Sequence, residues 1–300
     1  MKGTIKKKFK QLDWFTWTLL AVIALYVLSL IFVLGFGLNN SIKYWMDFQR
    51  GNIFGFPKKE YGWYFSNYVT VFEDFKLEVR ATGTMPRNVY MPEMFLNTVI
   101  YSTVVSIFSI ASQVIVAYAV AKYNFRLKKV IHITAIIVIM IPVIGSLASE
   151  FQLAKTLHLT NSVVGVAIMR CKYPGIYYLV FYAMFKNLPW TYAEAAQLDG
   201  AGHLTIFFRI MLPMVMGTIA AVFVLQFIAN WNDYTTPMIF TPLKPTISYG
   251  LFMYQNSHST GMSTPLKLAA GFFSCIPVII LFVVFRNKIM GNITMGGIKG

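Results

Sequence analysis

The sequence predicts an all-α membrane protein with six transmembrane helices and both termini in the cytoplasm, and three observations lead to this fold class. Of the 300 residues, 57% are hydrophobic and only 12% are charged, whereas a soluble domain carries about a quarter charged residues. Six apolar runs are each long enough to cross a bilayer as a helix, for which roughly 20 residues suffice. When the runs are placed across a membrane, the short basic segments all fall on one side of it.

The six apolar runs define the predicted spans. They are continuous rather than alternating, which favours helices over the strands of a membrane barrel. The first run follows a basic leader, but it is too long for the apolar region of a signal peptide and has no small-residue cleavage site, so we interpret it as a retained anchor. The spans are predicted at about Trp14–Gly37, Phe95–Ala121, Val130–Ser149, Ser162–Phe185, Met214–Thr236 and Leu268–Phe285.

The distribution of positive charge orients these spans. Basic residues occur before the first span, in the short second connection and after the last span. With an even number of spans these segments share one side of the membrane, and short basic segments face the cytoplasm. The first connection, residues 38–94, is then an extracellular loop of mixed charge. The basic residues are Lys2, Lys6, Lys7, Lys8, Lys10, Lys122, Arg126, Lys128, Lys129, Arg286 and Lys288.

Composition and motifs exclude several classes of function. The net charge is +15, but no basic stretch is interleaved with base-stacking aromatic residues on a polar scaffold, so no nucleic-acid partner is expected. The patterns G-x-x-x-x-G-K-[ST], H-E-x-x-H and G-x-S-x-G do not occur. The four histidines are scattered, without zinc-ligand spacing, and Cys171 and Cys275 lie in apolar segments, which gives no disulfide framework. We expect one membrane domain over residues 1–300 that binds no metal or cofactor and is not an enzyme.

The stretch "TYAEAAQLDGAGHLTIFFRIMLP", residues 191–213, has the pattern of two short helices between the fourth and fifth spans. Thr191 and Glu194 are spaced as a capping box, in which each side chain accepts a hydrogen bond from a backbone amide at the start of a helix. The alanine-rich segment Tyr192–Leu198 is predicted as that helix. Gly200 ends it, because glycine readily takes the left-handed conformation that follows a helix.

The second helix of this stretch is predicted over Ala201–Met211, and Pro213 suits the first turn of the next span. A well-capped connector would account for the cap and for the turn. It would not explain why a unit on the water side is so apolar, and an ordered apolar surface in water indicates a partner. The apolar residues are Leu198, Leu204, Ile206, Phe207 and Phe208.

This stretch resembles the cytoplasmic coupling motif of ABC importer membrane subunits. That motif reads Glu-Ala-Ala, three residues, Gly, nine residues, Ile, one residue and Leu-Pro, and the spacing here is the same. The resemblance implies that the short helix docks on an ATP-hydrolysing subunit and transmits its closure to the membrane spans. Within a cytoplasmic coupling loop at 190–213, the implied coupling residues are Glu194, Ala195, Ala196, Asp199, Gly200, Ile210, Leu212 and Pro213.

Further motifs are similar to the carbohydrate-uptake branch of that family. They are "FSNYVTVF" before the second span, "AYAVAKYNFRLKK" at its end, "NWNDY" late in the fifth span and the C-terminal "MGNITMGGIKG". Within the branch, the chain is most similar to the smaller six-span subunit of maltose-type importers. It departs from the branch at Thr98, where a serine usually follows the asparagine, and its tail matches loosely.

The resemblance implies the fold of a type I ABC importer permease in a bacterial cell membrane. The chain would form half of a translocation pathway for a sugar or oligosaccharide and would itself catalyse no reaction. Its implied partners are a second, homologous permease, two ATP-binding subunits that hold ATP and magnesium, and an extracellular solute-binding lipoprotein or periplasmic protein. The alternatives are an importer for a peptide, an amino acid or phosphate, a passive channel, and an intramembrane enzyme.

Polar residues near the end of the fifth span are candidates for contact with the sugar. Sugars stack their CH faces on aromatic rings and form hydrogen bonds with amides and carboxylates, and the segment supplies both kinds of group. An interfacial aromatic belt is the competing interpretation. Either the fourth span begins after Arg170 and Lys172 rather than at Ser162, or these two residues line the cavity. The candidate path residues are Gln226, Asn230, Trp231, Asp233 and Tyr234.

Overall fold

A computed structural model of the chain describes residues 13–81, 83–141, 145–256 and 263–293. The N-terminal lysines and residues 294–300 of the glycine-rich tail lie outside the described residues. Four helices of the described part are long and apolar enough to cross a membrane. They confirm a mostly helical fold with membrane-spanning segments, and they are Trp14–Ser41, Met91–Lys122, His203–Asn232 and Thr264–Arg286.

Helices make up most of the regular elements. Groups of shorter helices separate the long ones, and a π-helical turn, Phe207–Met211, lies inside the third long helix. The helices are α1 Trp14–Ser41, α2 Trp45–Gln49, α3 Ser66–Asp74, α4 Met91–Lys122, α5 Lys128–Met140, α6 Leu147–Thr156, α7 Val163–Arg170, α8 Ile176–Asn187, α9 Thr191–Leu198, α10 His203–Ile206, α11 Leu212–Asn232, α12 Thr235–Phe240, α13 Ile247–Asn256 and α14 Thr264–Ile293.

The predicted third and fourth spans are each divided into two helices. The third, Val130–Ser149, contains most of α5 and only the start of α6, and the fourth, Ser162–Phe185, contains α7 and most of α8. The prediction of one continuous helix is therefore wrong for both. The break in the fourth lies at Cys171–Gly175, where Pro174 disfavours helical backbone for the residue before it. Arg170 and Lys172, whose side chains are costly in an apolar helix, lie at this break.

A small β-hairpin lies in the connection between the first two predicted spans. Strand β1, Lys76–Val79, pairs antiparallel with strand β2, Arg87–Tyr90. Val79 and Val89 are buried, and β2 leads directly into α4. The hairpin is a departure from the all-α prediction, and within the larger unit its first strand packs against α13.

Two compact units are distinguished, and the larger one comprises residues 74–257 and 274–300. Its central element is α4, against which α7, α8 and α11 pack. At the C-terminal half of α4, Tyr118 contacts Phe185 and Phe207. At its N-terminal half, Tyr101 lies in a core with Phe240 of α12. The helix thus provides one continuous packing surface for elements that are distant in the sequence.

The smaller unit comprises residues 1–73 and 258–273. Lys43, just after α1, is fully buried. Its Nζ donates to Asn40 Oδ1 at 2.8 Å and to the carbonyls of Asn52 at 2.7 Å and Ile53 at 3.2 Å. Burial lowers the pKa of Lys43, and the charge of Asp47 opposes that shift. The ammonium group thereby ties the end of α1 to the loop that follows α2.

Lys43→Met should destabilise this unit, because it leaves one buried and two partly buried acceptors without their donor. We expect a loss of about 3 kcal/mol in the free energy of unfolding, since orphaned buried polar groups cost about 1–3 kcal/mol each. Lys59→Met, at an exposed position of the same loop, is the matched control and should leave stability nearly unchanged. Thermal unfolding of the purified protein in detergent measures both. Equal melting temperatures for the two variants would contradict the structural role of Lys43.

Candidate functional site

The turn after α9 is built as a Schellman motif. The amide of Gly200 donates to the carbonyl of Gln197 at 3.0 Å, and the amide of Ala201 donates to the carbonyl of Ala196 at 2.9 Å. Gly200 has φ +82°, which confirms the predicted left-handed position. A side chain at Gly200 would meet open space, so the requirement for glycine comes from its backbone conformation alone.

The predicted capping box does not form. Helix α9 begins at Thr191, its N-cap position is Trp190, and no side chain caps it. The Trp190 carbonyl instead accepts hydrogen bonds from the amides of Ala193 at 2.8 Å and Glu194 at 3.1 Å. Because Thr191 already has helical backbone, its hydroxyl is not at the position from which it could cap. Glu194 is exposed in the first turn, where its negative charge is favoured by the helix dipole.

The second predicted helix does not end at Met211. From His203 to Asn232 the chain forms one apolar helix of 30 residues, with the π-helical turn in its first part. Pro213 lies in this continuous helix without breaking it. A proline has no amide hydrogen to donate to the preceding turn, and it follows the wider π turn, in which the regular hydrogen bonds are already interrupted. The 190–213 loop is therefore connected rigidly to the fifth predicted span.

The 190–213 loop presents apolar side chains that the chain itself leaves uncovered. In α9 only Ala193 is buried. Leu198 is 89% exposed and Leu204 is 75% exposed, and Tyr192 and Phe208 are also exposed. The remaining predicted coupling residues are exposed or half-buried: Ala195, Ala196, Asp199, Ile210, Leu212 and Pro213.

The end of α4 contacts the 190–213 loop on both sides of α9, at Trp190 and at His203. Lys122 donates from Nζ to the Leu188 carbonyl and lies over the Trp190 ring. Tyr123 packs edge-on against Trp190, and its hydroxyl is 3.2 Å from His203 Nδ1. The motif "AYAVAKYNF" contains both Lys122 and Tyr123, but nothing in its pattern indicates their partners. The loop is thus fixed to two long helices, α4 and the helix that begins at His203.

Trp231, predicted as a path residue, lies in the core of the larger unit. Its ring is 2% exposed and contacts Phe95 and Phe227 at centroid distances of 5.9 and 5.7 Å. Its Nε1 donates to the Ser274 carbonyl at 3.3 Å. These contacts cover the ring, so within this chain it offers no face on which a sugar could stack.

The other predicted path residues differ in accessibility. Asn230 is buried and donates from Nδ2 to Ser106 Oγ at 2.9 Å. Asp233 lies two residues before α12, and its Oδ1 accepts a hydrogen bond from the Thr236 amide in the first turn of that helix at 3.0 Å. Tyr234 is 38% exposed and stacks on Phe252 with centroids 4.2 Å apart. Gln226 is half-buried.

Charged side chains meet beside the breaks in the third and fourth predicted spans. Arg170 donates from Nη2 to Thr236 Oγ1 at 2.8 Å. Lys172 forms an ion pair with Glu150 at 3.0 Å, and Ser146 donates to the same Glu150 oxygen at 3.2 Å. Arg170 and Lys172 are candidates from the sequence alone, whereas Glu150 and Thr236 are not, because the proximity of these four residues depends on how the divided spans fold. The described residues contain no group of three or more acidic, histidine or cysteine side chains that could hold a metal ion.

Comparison with known proteins identifies a class of membrane transport components. Residues 113–293 match the family described as the binding-protein-dependent transport system inner membrane component. The match covers more than half of the chain and includes the 190–213 loop, both span breaks and the long helix from His203. The chain belongs to this family.

Named relatives and a solved structure are similar to the chain over most of its length. A maltodextrin transport system permease protein of Bacillus subtilis is 25% identical over 292 residues, 94% of each chain. An arabinooligosaccharides transport system permease protein of the same species is 26% identical over 207 residues, 69% of this chain and 73% of the relative. A bacterial ABC transporter involved in the import of alginate shares the fold, with TM-score 0.72 and 20% identity, over 91% of this chain and 95% of its own.

Trp231→Ala should act on stability rather than on transport by each folded molecule. Replacing a buried aromatic residue by alanine costs about 3–5 kcal/mol, so the amount of folded protein in the membrane should fall. Tyr234→Ala removes a partly exposed ring and should reduce that amount much less. Both are measured by thermal unfolding and by uptake normalised to folded protein. Normal stability combined with lost uptake in Trp231→Ala would instead place this residue on the transport path.

Proposed function

We propose that the chain is the membrane-spanning subunit of an ATP-driven importer for a sugar or oligosaccharide. The observation that carries the proposal is the ordered, uncovered apolar loop at 190–213, which is fixed to two long helices and leaves a docking surface for another subunit. The family membership supports transport, and relatives named for maltodextrin and arabinooligosaccharides support a sugar. An importer for a peptide, an amino acid or phosphate is the alternative that the loop alone does not separate.

In the proposed mechanism, ATP hydrolysis takes place on two partner subunits, which hold ATP and magnesium. One of them receives α9 in a cleft and displaces it as the pair closes. The displacement passes through the Schellman turn into the helix from His203 to Asn232, which extends over about 45 Å at 1.5 Å per residue. A second route passes through Tyr123 and Lys122 into α4. Both long helices thus move with the loop.

The proposed topology has six crossings of a bacterial cell membrane with both termini in the cytoplasm. The third crossing is formed by α5 and α6 together, and the fourth by α7 and α8. Irregular backbone at membrane depth is tolerated only where it is buried in protein or lines a water-filled cavity. The breaks therefore support a polar passage next to them, shared with a second, homologous permease and supplied by an extracellular solute-binding lipoprotein or periplasmic protein.

We place the substrate path along the accessible polar groups rather than at Trp231. Tyr234 offers a partly exposed ring. Gln226 and Asp233, which are close to it in the sequence, offer hydrogen-bonding groups. We also assign Arg170 to the path, because it donates a hydrogen bond to Thr236, whose amide binds Asp233. Lys172 and Glu150 extend it towards the breaks, with side chains 49% and 27% exposed.

The coupling role is tested by a pair of glycine variants. Gly200→Ala forces a side chain into left-handed backbone, which costs about 1–2 kcal/mol, whereas Gly202→Ala keeps an extended backbone with open space around the new atom. We expect Gly200→Ala to lower substrate-stimulated ATPase activity and uptake about tenfold, and Gly202→Ala to change both little. Both rates are measured in the complete transporter reconstituted in liposomes. Equal activity of the two variants would contradict a coupling role for this turn.

The path role of Arg170 is tested against its hydrogen-bond partner. Arg170→Met removes both the charge and the bond to Thr236, while Thr236→Val removes the bond and keeps the charge. If the guanidinium group contacts the substrate, Arg170→Met should slow uptake about tenfold or more, since bonds to charged groups contribute about 1.5–3 kcal/mol, and Thr236→Val should have a smaller effect. Labelled maltodextrin and arabinooligosaccharide serve as probes. Equal losses would show that only the bond between the helices matters.

A further inference from the structure

The smaller unit carries an exposed cluster of aromatic side chains at the C-terminal end of α1. We call it the aromatic patch, and it comprises two ring pairs. Phe36 of α1 contacts Phe54 with ring centroids 5.4 Å apart, and Phe56 contacts Trp63 at 6.4 Å. Phe54 and Phe56 are 77% and 75% exposed, and Trp63 is 58% exposed. Such large exposed apolar groups indicate an environment other than water.

The loop that carries the patch is held in place against α1. Asn39 donates from Nδ2 to the Gly55 carbonyl at 2.8 Å, between Phe54 and Phe56. Lys43 binds the preceding two carbonyls, as described above. Asp47 accepts from Asn52 Nδ2 at 3.0 Å and from the Lys58 amide at 3.1 Å. The loop therefore folds back along the helix and places Phe54 beside Phe36, which precedes the helix end.

The length of α1 locates this contact relative to a bilayer. The helix has 28 residues and extends over about 42 Å, whereas the hydrocarbon core is about 30 Å thick. Trp14 and Trp17 at its N-terminal end are suited to one membrane interface. About 20 residues further on, the helix reaches the opposite boundary of the hydrocarbon, which is the position of Phe36. The aromatic patch lies at the same level.

Charged residues beside the patch suit a lipid surface. Lys58 and Lys59 directly follow the Phe56-Pro57 segment and are exposed. Long basic side chains next to aromatic rings are typical of the interface, where the rings lie among the upper acyl chains and the ammonium groups reach the phosphates. Glu60 pairs loosely with Arg50 at 3.9 Å, and both side chains are more than half exposed.

We propose that the aromatic patch is seated in the bilayer surface at the C-terminal end of α1, with lipid as its partner. The rings of Phe54, Phe56 and Trp63 enter the boundary between headgroups and acyl chains, and Lys58 and Lys59 contact lipid phosphates. The loop thereby fixes the depth and the tilt of α1 in the membrane. This inference depends on the membrane location of the family and not on the identity of the transported solute.

Spin-label accessibility tests the seating in the complete transporter reconstituted in liposomes. Cys171 and Cys275 are the two cysteines of the chain, so Cys171→Ser with Cys275→Ser gives a background for single labels, which must first retain uptake. Labels are attached in the variants Phe54→Cys, Phe56→Cys and Trp63→Cys. Glu60→Cys is the matched control on the same loop. Collision rates with oxygen, which dissolves in lipid, and with a polar nickel chelate, which stays in water, are measured for each label.

The expected result is an oxygen-to-nickel collision ratio about tenfold higher at Phe54 and Phe56 than at Glu60, because hydrocarbon excludes the polar chelate. Trp63 should give an intermediate ratio, as expected for a ring with a polar edge at the interface. Ratios at Phe54 and Phe56 equal to that at Glu60 would overturn the proposal in favour of a patch that faces water. Low collision rates with both reagents would also overturn it, since they would show that a protein subunit covers the patch.

Discussion

Hydrocarbon offers no hydrogen-bond partners, so every backbone amide and carbonyl at membrane depth must be satisfied within the protein. This constraint explains why α1, α4, the helix from His203 and α14 are long and nearly uninterrupted. It also explains the contacts at each interruption. Beside the break in the fourth predicted span, the Gln113 side chain accepts a hydrogen bond from the Tyr178 amide at the start of α8 at 3.0 Å. At this break a polar side chain supplies the hydrogen-bond acceptor that a backbone carbonyl would supply in a regular helix.

The same constraint links the proposed path to the proposed coupling. The divided spans bring Arg170, Lys172 and Glu150 to one region, where Lys172 and Glu150 form an ion pair. The undivided helix that begins at His203 runs from the 190–213 loop to Asn232, next to Asp233 and Thr236. The helix that begins at His203 is therefore continuous where the proposed coupling would transmit force. The divided spans beside it are irregular where the proposed path would need polar groups.

Four of the predicted spans follow directly from composition, because a long run of apolar residues in hydrocarbon has one stable form. The left-handed turn at Gly200 was also predictable, since a glycine after an alanine-rich helix favours it. The breaks were not predictable from hydropathy, which averages over the window that contains them.

Trp231 shows a further limit: a tryptophan among polar residues fits both a sugar platform and a packed core, and only its contacts with Phe95 and Phe227 decide between them. The capping box failed because α9 begins one residue earlier than the pattern requires.

The π-helical turn at Phe207–Met211 changes the direction in which the side chains of the following helix, α11, point around the helix axis. A π turn accommodates one residue more than the regular helix, and each residue of an α-helix advances the side-chain direction by about 100°. The faces of α11 are thus rotated by about that angle relative to a helix continued regularly from α10. Asn230 meets Ser106, and Trp231 meets Phe95, on faces of α11 whose direction includes this rotation. The geometry of the far end of the helix is therefore encoded in a single extra residue close to its beginning.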